Sequence, residues 1–280
     1  MISPFRWFGG KGKFTKTLLE NLPSGEVYVE PFCGAATFFF AKPSHPVEVL
    51  NDLHSEIVNL FRVFQKKDHY EELVHRLTWT PYAREEFVKA LDMRKQENLS
   101  DVDKAWAFFV RQNQGFGGKA NTRGDWGRTF TSLRGMSKQT SDWITKLSLF
   151  EEWRNRLIRC QIDQIDALTC IQYWDSEKTV FYLDPPYIHE TRTSSKDYVH
   201  EQPLSFHEDL VKILLNIKGN AMLSGYKHPV YLPLEKAGWI KKSYKTTCHA
   251  AGRIRSSELQ GQGNILEKQK RTEILWIKGK

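Results

Sequence analysis

The chain has 280 residues, with 41 Lys+Arg against 33 Asp+Glu and a formal net charge of +8. At about 150 residues per domain, that length fits one large domain or one domain carrying a substantial insert. With 40% hydrophobic and 13% aromatic residues, the chain can bury a real core, which excludes a disordered or fibrous protein. Its most apolar stretches fall far short of the roughly 18 residues needed to span a bilayer. The opening residues lack a basic stretch followed by an apolar block, so no ordinary secretory signal is expected and the cytosol is the expected compartment. The positive balance is compatible with nucleic acid or an acidic surface, but alone selects neither.

The first strand signal is Glu26-Val27-Tyr28-Val29-Glu30, which runs into the small-residue turn Pro31-Phe32-Cys33-Gly34-Ala35-Ala36 and then an aromatic helix. A second apolar segment, Val47-Glu48-Val49-Leu50, ends in Asn51-Asp52, after which Ile57, Leu60, Phe61 and Phe64 recur at helical spacing. This βαβα texture predicts a parallel sheet with a ligand site outside the carboxyl ends of its strands. From about Phe61 to Phe150 the sequence is charged and helix-forming, apart from a Gly-rich loop or hairpin at 115–128. Strand texture returns at Thr179-Val180-Phe181-Tyr182-Leu183, at Ala221-Met222-Leu223-Ser224 and at Thr272-Glu273-Ile274-Leu275-Trp276-Ile277. The predicted architecture is one α/β sheet domain built from both ends of the chain, with a mainly helical insert between them.

Four cysteines, Cys33, Cys160, Cys170 and Cys248, form no Cys-x-x-Cys pair and read as buried, reduced thiols. His54-Ser55-Glu56 is the nearest approach to a zinc-deaminase signature, but no Pro-Cys-x-x-Cys follows, so no metal is expected. Gly9-Gly10-Lys11-Gly12-Lys13 and Gly118-Lys119-Ala120 resemble nucleotide loops, yet neither has the P-loop spacing or a convincing strand before it. The sharpest motif is Asp184-Pro185-Pro186-Tyr187, directly after a buried-looking strand. Two prolines force a rigid turn that presents a carboxylate and an aromatic ring at the strand's end. The tetrapeptide read alone is as compatible with a surface turn capped by Asp. A nucleobase amino group is a poor nucleophile because its lone pair is conjugated into the ring. The Asp184 carboxylate and the Pro185 carbonyl form an acceptor pair able to hold the amino hydrogens, and Tyr187 can stack on the base.

Taken in order, Trp7-Phe8-Gly9-Gly10-Lys11, Tyr28-Val29-Glu30-Pro31-Phe32-Cys33-Gly34, Asn51-Asp52, Asp166, Phe181-Tyr182-Leu183-Asp184-Pro185-Pro186-Tyr187, Ser224-Gly225-Tyr226 and Thr272-Glu273-Ile274-Leu275-Trp276 form a set. That set resembles the Dam-like DNA adenine-N6 methyltransferases across nearly the whole chain. The resemblance implies a Rossmann-like methyltransferase sheet domain, discontinuous at 1–60 and 151–280, with a DNA target-recognition insert at 61–150. It implies transfer of a methyl group from S-adenosyl-L-methionine to adenine N6. Cofactor contacts would come from Trp7, Lys11, Glu30, Pro31, Phe32, Gly34, Asp52, Asp166 and Asp184. Of these, Lys11 suits the methionine carboxylate, Asp52 the ribose hydroxyls and Asp166 the cofactor's adenine amino group. Catalysis falls to Asp184 with Pro185, Pro186 and Tyr187. Read only as local structure, Asp52 and Asp166 are also ordinary helix caps.

Within 111–138, six positive residues face one acid, a balance of +5, with Phe116, Trp126 and Phe130 interleaved. Arg111, Lys119, Arg123, Trp126 and Arg128 are therefore the expected DNA-contacting residues. The resemblance further implies double-stranded DNA with a flipped adenine, a bacterial or phage setting and a monomer. A second basic concentration at 241–280, including Arg253 and Arg255, reads as a solvated connection bracketed by the last strand pairing. The polar stretch 188–202 resembles the family's active-site loop. The weaker alternatives are methylation of cytosine N4 or of RNA, and a catalytically silent DNA-binding protein.

Overall fold

A computed structural model of the chain describes residues 1–7, 9–12, 14–116, 123–188, 202–247 and 270–279. Helix α1 (Thr15–Asn21) precedes β1 (Val27–Glu30), α2 (Thr37–Ala41), β2 (Val47–Asn51) and α3 (Ser55–Gln65). The middle of the chain supplies α4 (Lys67–Thr78), α5 (Arg84–Met93), α6 (Asp101–Gln114), a hairpin of β3 (Ser132–Leu133) and β4 (Met136–Ser137), α7 (Lys138–Leu147) and α8 (Phe150–Leu157). The remainder is β5 (Gln161–Asp163), α9 (Ala167–Trp174), β6 (Thr179–Leu183), α10 (Leu204–Asn216), β7 (Asn220–Gly225), α11 (Leu232–Lys236), β8 (Ile240–Thr247) and β9 (Lys270–Lys278).

Seven strands form one sheet in the order β5-β2-β1-β6-β7-β9-β8, parallel from β5 to β7 and antiparallel at β9 and β8. The strand segments expected around 27–30, 47–50, 179–183, 221–224 and 272–277 all lie in this sheet. The short β5 was not predicted, three residues being too few to show a period; β8 and β9 form the strand pairing expected to bracket the basic connection, though no apolar run marks the range of the Lys-rich β8. Lysines on an edge strand blunt its tendency to pair with another chain. The chain travels from β1 outward to β5 and returns at β6 on the other side of β1. Between β1 and β6 therefore lies the switch point at which open α/β sheets bind ligands.

Alternation along the strands decides the layers, because successive side chains point to opposite faces. Tyr28, Leu50, Val180, Tyr182 and Met222 enter one core with Leu18 of α1, the three phenylalanines of α2 and Ile57 of α3. Val29, Val49, Phe181, Leu183 and Leu223 enter the opposite core with Cys170 of α9, Leu210 of α10 and Leu234 of α11. Every residue of β6 is buried, as expected for a central strand covered on both faces.

The insert helices extend the first core. Phe108 and Phe109 of α6, Leu73 and Leu77 of α4, Trp143 of α7 and Trp153 of α8 belong to the same cluster as the sheet. The break expected after residue 60 falls inside α3. A capping box starts α6: Ser100 Oγ accepts from the Asp103 N–H at 3.0 Å, and Asp103 Oδ2 accepts from the Ser100 N–H at 3.3 Å. Among the described residues no helix is long and apolar enough to cross a membrane.

Candidate active site

The carboxyl ends of β1, β2 and β6, with the N-terminus of α9, enclose one cleft. Glu30, Pro31, Phe32 and Gly34 line it from the loop after β1, and Asp52 from the end of β2. Trp7 and Lys11 approach from the N-terminal segment, Asp166 from the start of α9, and Asp184 and Pro186 from the turn after β6. Pro185 and Tyr187 are buried beside it. Residues scattered from 7 to 187 are thus brought together by the strand order rather than by proximity in the chain.

Gly34 shapes the first wall. Its φ is +48°, and a Cβ there would stand 2.9 Å from Cδ1 of the Trp7 indole, so the ring can lie against the loop only because residue 34 has no side chain. Ala36 also holds a left-handed conformation, φ 49°, as the entry to α2. Trp7 is braced edge-on by Phe5 and by His54, with ring centroids 5.9 and 5.2 Å away. Asp52 ties this wall to β2: its Oδ2 accepts the Gly34 N–H at 2.8 Å and its Oδ1 the His54 N–H at 2.9 Å. Asn51 is wholly buried; its amide donates to the Pro31 and Ile165 carbonyls, each at 3.0 Å, and its oxygen accepts the Ile165 N–H at 2.9 Å. Asp166 caps α9 through Oδ2 and the Thr169 N–H at 3.0 Å while remaining exposed at the cleft. For Asp166, cap and cleft residue are the same residue.

The loop after β6 carries the charged centre. Burial lifts the Asp184 carboxyl to about 6, with Lys11 opposing the rise and Glu273 adding to it. Burial lifts Glu30 further, to about 8 against its hydrogen bond from the Tyr28 hydroxyl, which leaves it mostly protonated at neutral pH. Cys33 lines the cleft, but burial, and then the charge of Asp52, push its thiol up, so no thiolate nucleophile is available there. Among the described residues no group of three or more His, Cys, Asp or Glu could hold a metal ion.

The Lys11 ammonium, 9% exposed, is engaged by Asp184, Tyr187 and Glu273. It lies 3.4 Å from Asp184 Oδ1, donates to both oxygens of Glu273 at 3.2 and 3.3 Å, and donates to the Tyr187 hydroxyl. The Tyr187 hydroxyl in turn donates to Glu273 Oε2 at 2.9 Å. Glu273 is the site residue that sequence reasoning did not single out, although it sat within a quoted motif. The missing signal was strand direction: antiparallel β9 begins at the edge where β1, β2 and β6 end, and Ile274 pairs with Gly225 at the end of β7.

A model of the family described as D12 class N6 adenine-specific DNA methyltransferase matches residues 7–260. The chain belongs to that family. It is similar to the DNA adenine methylase of Salmonella typhi, 24% identical over 223 residues that cover 77% of this chain and 76% of the relative. It is also similar to the DNA adenine methylase of Escherichia coli strain K12, 23% identical over 218 residues covering 72% and 71%. The Type II methyltransferase M.CviBI of Paramecium bursaria Chlorella virus NC1A is 41% identical over a shorter stretch of 59 residues, 20% of this chain and 23% of that protein. The enzyme is a DNA adenine-N6 methyltransferase, and DNA is its substrate.

On the insert of this methyltransferase the structure corrects part of the expected DNA surface. Arg111 is only 2% exposed, paired with Glu56 and packed over Phe108, so its charge serves the junction of α3 with α6 rather than an exposed surface. The count of positive residues could not separate a buried arginine at the last turn of α6 from an exposed one. Trp126 forms a bridge with Gly115 that closes the base of the loop, and packs on Phe87 and Leu91 with the Arg84 guanidinium 5.0 Å from its ring. It anchors the loop. Arg128 is exposed, as are Arg134 and Lys138 around the hairpin. Arg123 opens a short 3-10 turn, Arg123–Asp125. Lys119, the 189–201 part of the polar stretch and the 248–269 part of the basic connection lie outside the described residues, as does Cys248.

Proposed function

We propose that the methyltransferase takes its methyl group from S-adenosylmethionine held in this cleft and passes it directly to an adenine turned out of double-stranded DNA. The donor set fits that cofactor. Asp52 lines the cleft at the end of β2, held in place by the Gly34 and His54 N–H groups, and its carboxylate is the acceptor suited to vicinal ribose hydroxyls. Asp166 offers an exposed carboxylate to an exocyclic amino group, and Trp7 with the bare Gly34 backbone offers a flat wall. When bound, S-adenosylmethionine supplies an electrophilic methyl group carried on a positively charged sulfur.

The chain's own residues prepare the nucleophile. Asp184 and the Pro185 carbonyl accept the two amino hydrogens of adenine, which draws the nitrogen lone pair out of conjugation and aims it along the cleft. Tyr187, edge-on to Tyr226 at 4.7 Å, presents the stacking surface. Asp184 lies within the cleft, and enzymes that do chemistry on a base take it out of the duplex stack, so in this reading the adenine is flipped out. The observation that carries this reading is the convergence of Gly34, Asp52 and Asp184 on one cleft at the sheet's switch point.

The test uses purified enzyme, labelled S-adenosylmethionine, and unmethylated duplexes with a fluorescent base analogue beside or at candidate adenines. Label in N6-methyladenine, with a fluorescence rise on binding, is expected. Asp184→Ala should lose at least about 100-fold in rate while cofactor binding remains measurable. Full activity in that variant, or binding to DNA with no affinity for the cofactor, overturns the reading.

A further inference from the structure

Lys11, Asp184, Tyr187 and Glu273 form a closed cluster in which one ammonium serves two carboxylates. The ammonium lies 3.4 Å from Asp184 Oδ1 and 3.2 Å from Glu273 Oε1, and both Lys11 and Glu273 are buried. A lysine paired with Asp184 alone would form a neutral pair. Its N–H groups would then occupy the acceptor positions that Asp184 must offer to an amino group. A second carboxylate changes both the geometry and the charge. Glu273 binds the ammonium through both oxygens and draws it toward β9, and the cluster carries a net charge of −1. Methyl transfer moves positive charge onto the adenine amino nitrogen, and a fixed negative charge beside that nitrogen stabilises the transition state more than the ground state.

We propose that Glu273 is a positioning residue for the methylation reaction: Lys11 and Tyr187 also hydrogen-bond Asp184, and by drawing the ammonium and the hydroxyl toward β9 Glu273 loosens their hold on the carboxylate that accepts the adenine amino group. The inference rests on the proposed use of Asp184 as acceptor of the amino hydrogens. It gives Lys11 a role on the base side of the cleft in place of the methionine carboxylate expected from the resemblance. Glu273 itself touches neither substrate nor cofactor.

The charged and titratable groups facing Asp184 are Lys11 from the N-terminal segment, Glu30 from β1, Tyr182 from β6, Tyr187 from its own loop and Glu273 from β9. Asp184 must be ionised to accept, so activity falls as pH drops through its pKa. Removing the Glu273 charge lowers that pKa and moves the acid limb of the rate profile to lower pH. Removing the Lys11 charge moves the limb to higher pH. A purely structural loss in either variant would lower the whole profile without displacing its limb in opposite directions.

The experiment measures single-turnover methylation of duplex DNA at saturating S-adenosylmethionine across pH 5 to 9 for wild type, Glu273→Gln, Lys11→Met and the double variant. Cofactor affinity is measured separately for each, and folding by thermal melting. Glu273→Gln is expected to lose roughly 10- to 100-fold in rate with cofactor affinity within about threefold of wild type. The double variant should be faster than Glu273→Gln, because the cation left bound to Asp184 is gone. A wild-type rate in Glu273→Gln, a parallel loss of cofactor affinity, or a double variant no faster than the single one overturns the proposal. Should Glu273→Gln fail to fold, the limb in Lys11→Met decides: unmoved or moved downward, it overturns the proposal. The wild type in the same assay reports on the underlying reading. Absence of label there would fault that reading, whereas normal wild-type methylation with unshifted variants faults only Glu273.

Discussion

At Gly34 a single missing methyl group sets the width of the cleft. A Cβ there would meet Trp7 Cδ1 at 2.9 Å and Nε1 at 3.3 Å, and the backbone conformation is left-handed as well. Gly34→Ala therefore carries two penalties: about 1 kcal/mol of backbone strain and displacement of the indole from the wall. The Trp7 ring is held edge-on by Phe5 and His54, so it cannot yield freely. The expected outcome is a fold that survives with cofactor affinity reduced about tenfold or more, as calorimetric titration of wild type and variant would read. Arg111 shows the opposite situation, a charged residue whose value lies in packing. Arg111→Ala leaves a partly exposed Glu56 without its partner and opens space beside Phe108, so it should cost about 1 to 3 kcal/mol in denaturant unfolding. Its effect on DNA binding should follow that loss of fold.

Strand ends are the elements on which the site depends, and Asn51 is what keeps three of them in register. It joins the loop after β1, the end of β2 and the turn into α9 through three hydrogen bonds made in a fully buried position. Asn51→Ala leaves buried backbone groups unsatisfied, at about 1 to 3 kcal/mol for each. Partial relaxation should hold the total near 2 to 4 kcal/mol, read as a lower midpoint in urea together with weaker cofactor binding. This scale also explains what was legible beforehand. Strand segments that are continuous runs of Val, Phe, Tyr and Leu announce buried parallel strands, and a chain turn after each places Glu30, Asp52 and Asp184 on one edge. Periodicity cannot report what a side chain meets across the sheet. Glu273 sat beside Thr272 at the polar start of the last strand, and only the antiparallel course of β9 brings it to Lys11. Trp126 and Arg111 sit in a basic, aromatic stretch, and composition cannot distinguish a ring that closes a loop from one that faces solvent.

Across the whole molecule one apolar core joins the sheet to the middle helices. The apolar cluster passes from Tyr28 and Tyr182 on the sheet through Phe61 of α3 to Phe108 and Trp153 of the helical insert. The N-terminal segment is fastened to that insert: Trp153 Nε1 donates to the Ile2 carbonyl at 2.8 Å, and Lys146 Nζ and Asn113 Nδ2 donate to the Pro4 carbonyl at 2.9 and 3.1 Å. Three residues later the same segment supplies Trp7 to the cleft wall. Charge is distributed differently from packing. The cleft holds Asp52, Asp166 and Asp184, whereas exposed cations such as Arg128, Arg134 and Lys138 lie on the hairpin side of the insert. DNA affinity should therefore fall steeply with salt, because each neutralised phosphate releases condensed counterions and contributes a slope of about −0.9 in log K against log salt. Arg128→Ala and Arg134→Ala should each reduce that slope by about 1 and leave the melting temperature near wild type. Cofactor affinity depends on hydrogen bonds and a short-range field in a partly buried cleft, which salt screens far less. Fluorescence anisotropy of a labelled duplex at four salt concentrations, alongside cofactor titrations in the same buffers, measures both. Equal salt slopes for wild type and both hairpin variants would place the DNA-contacting charge elsewhere on the molecule.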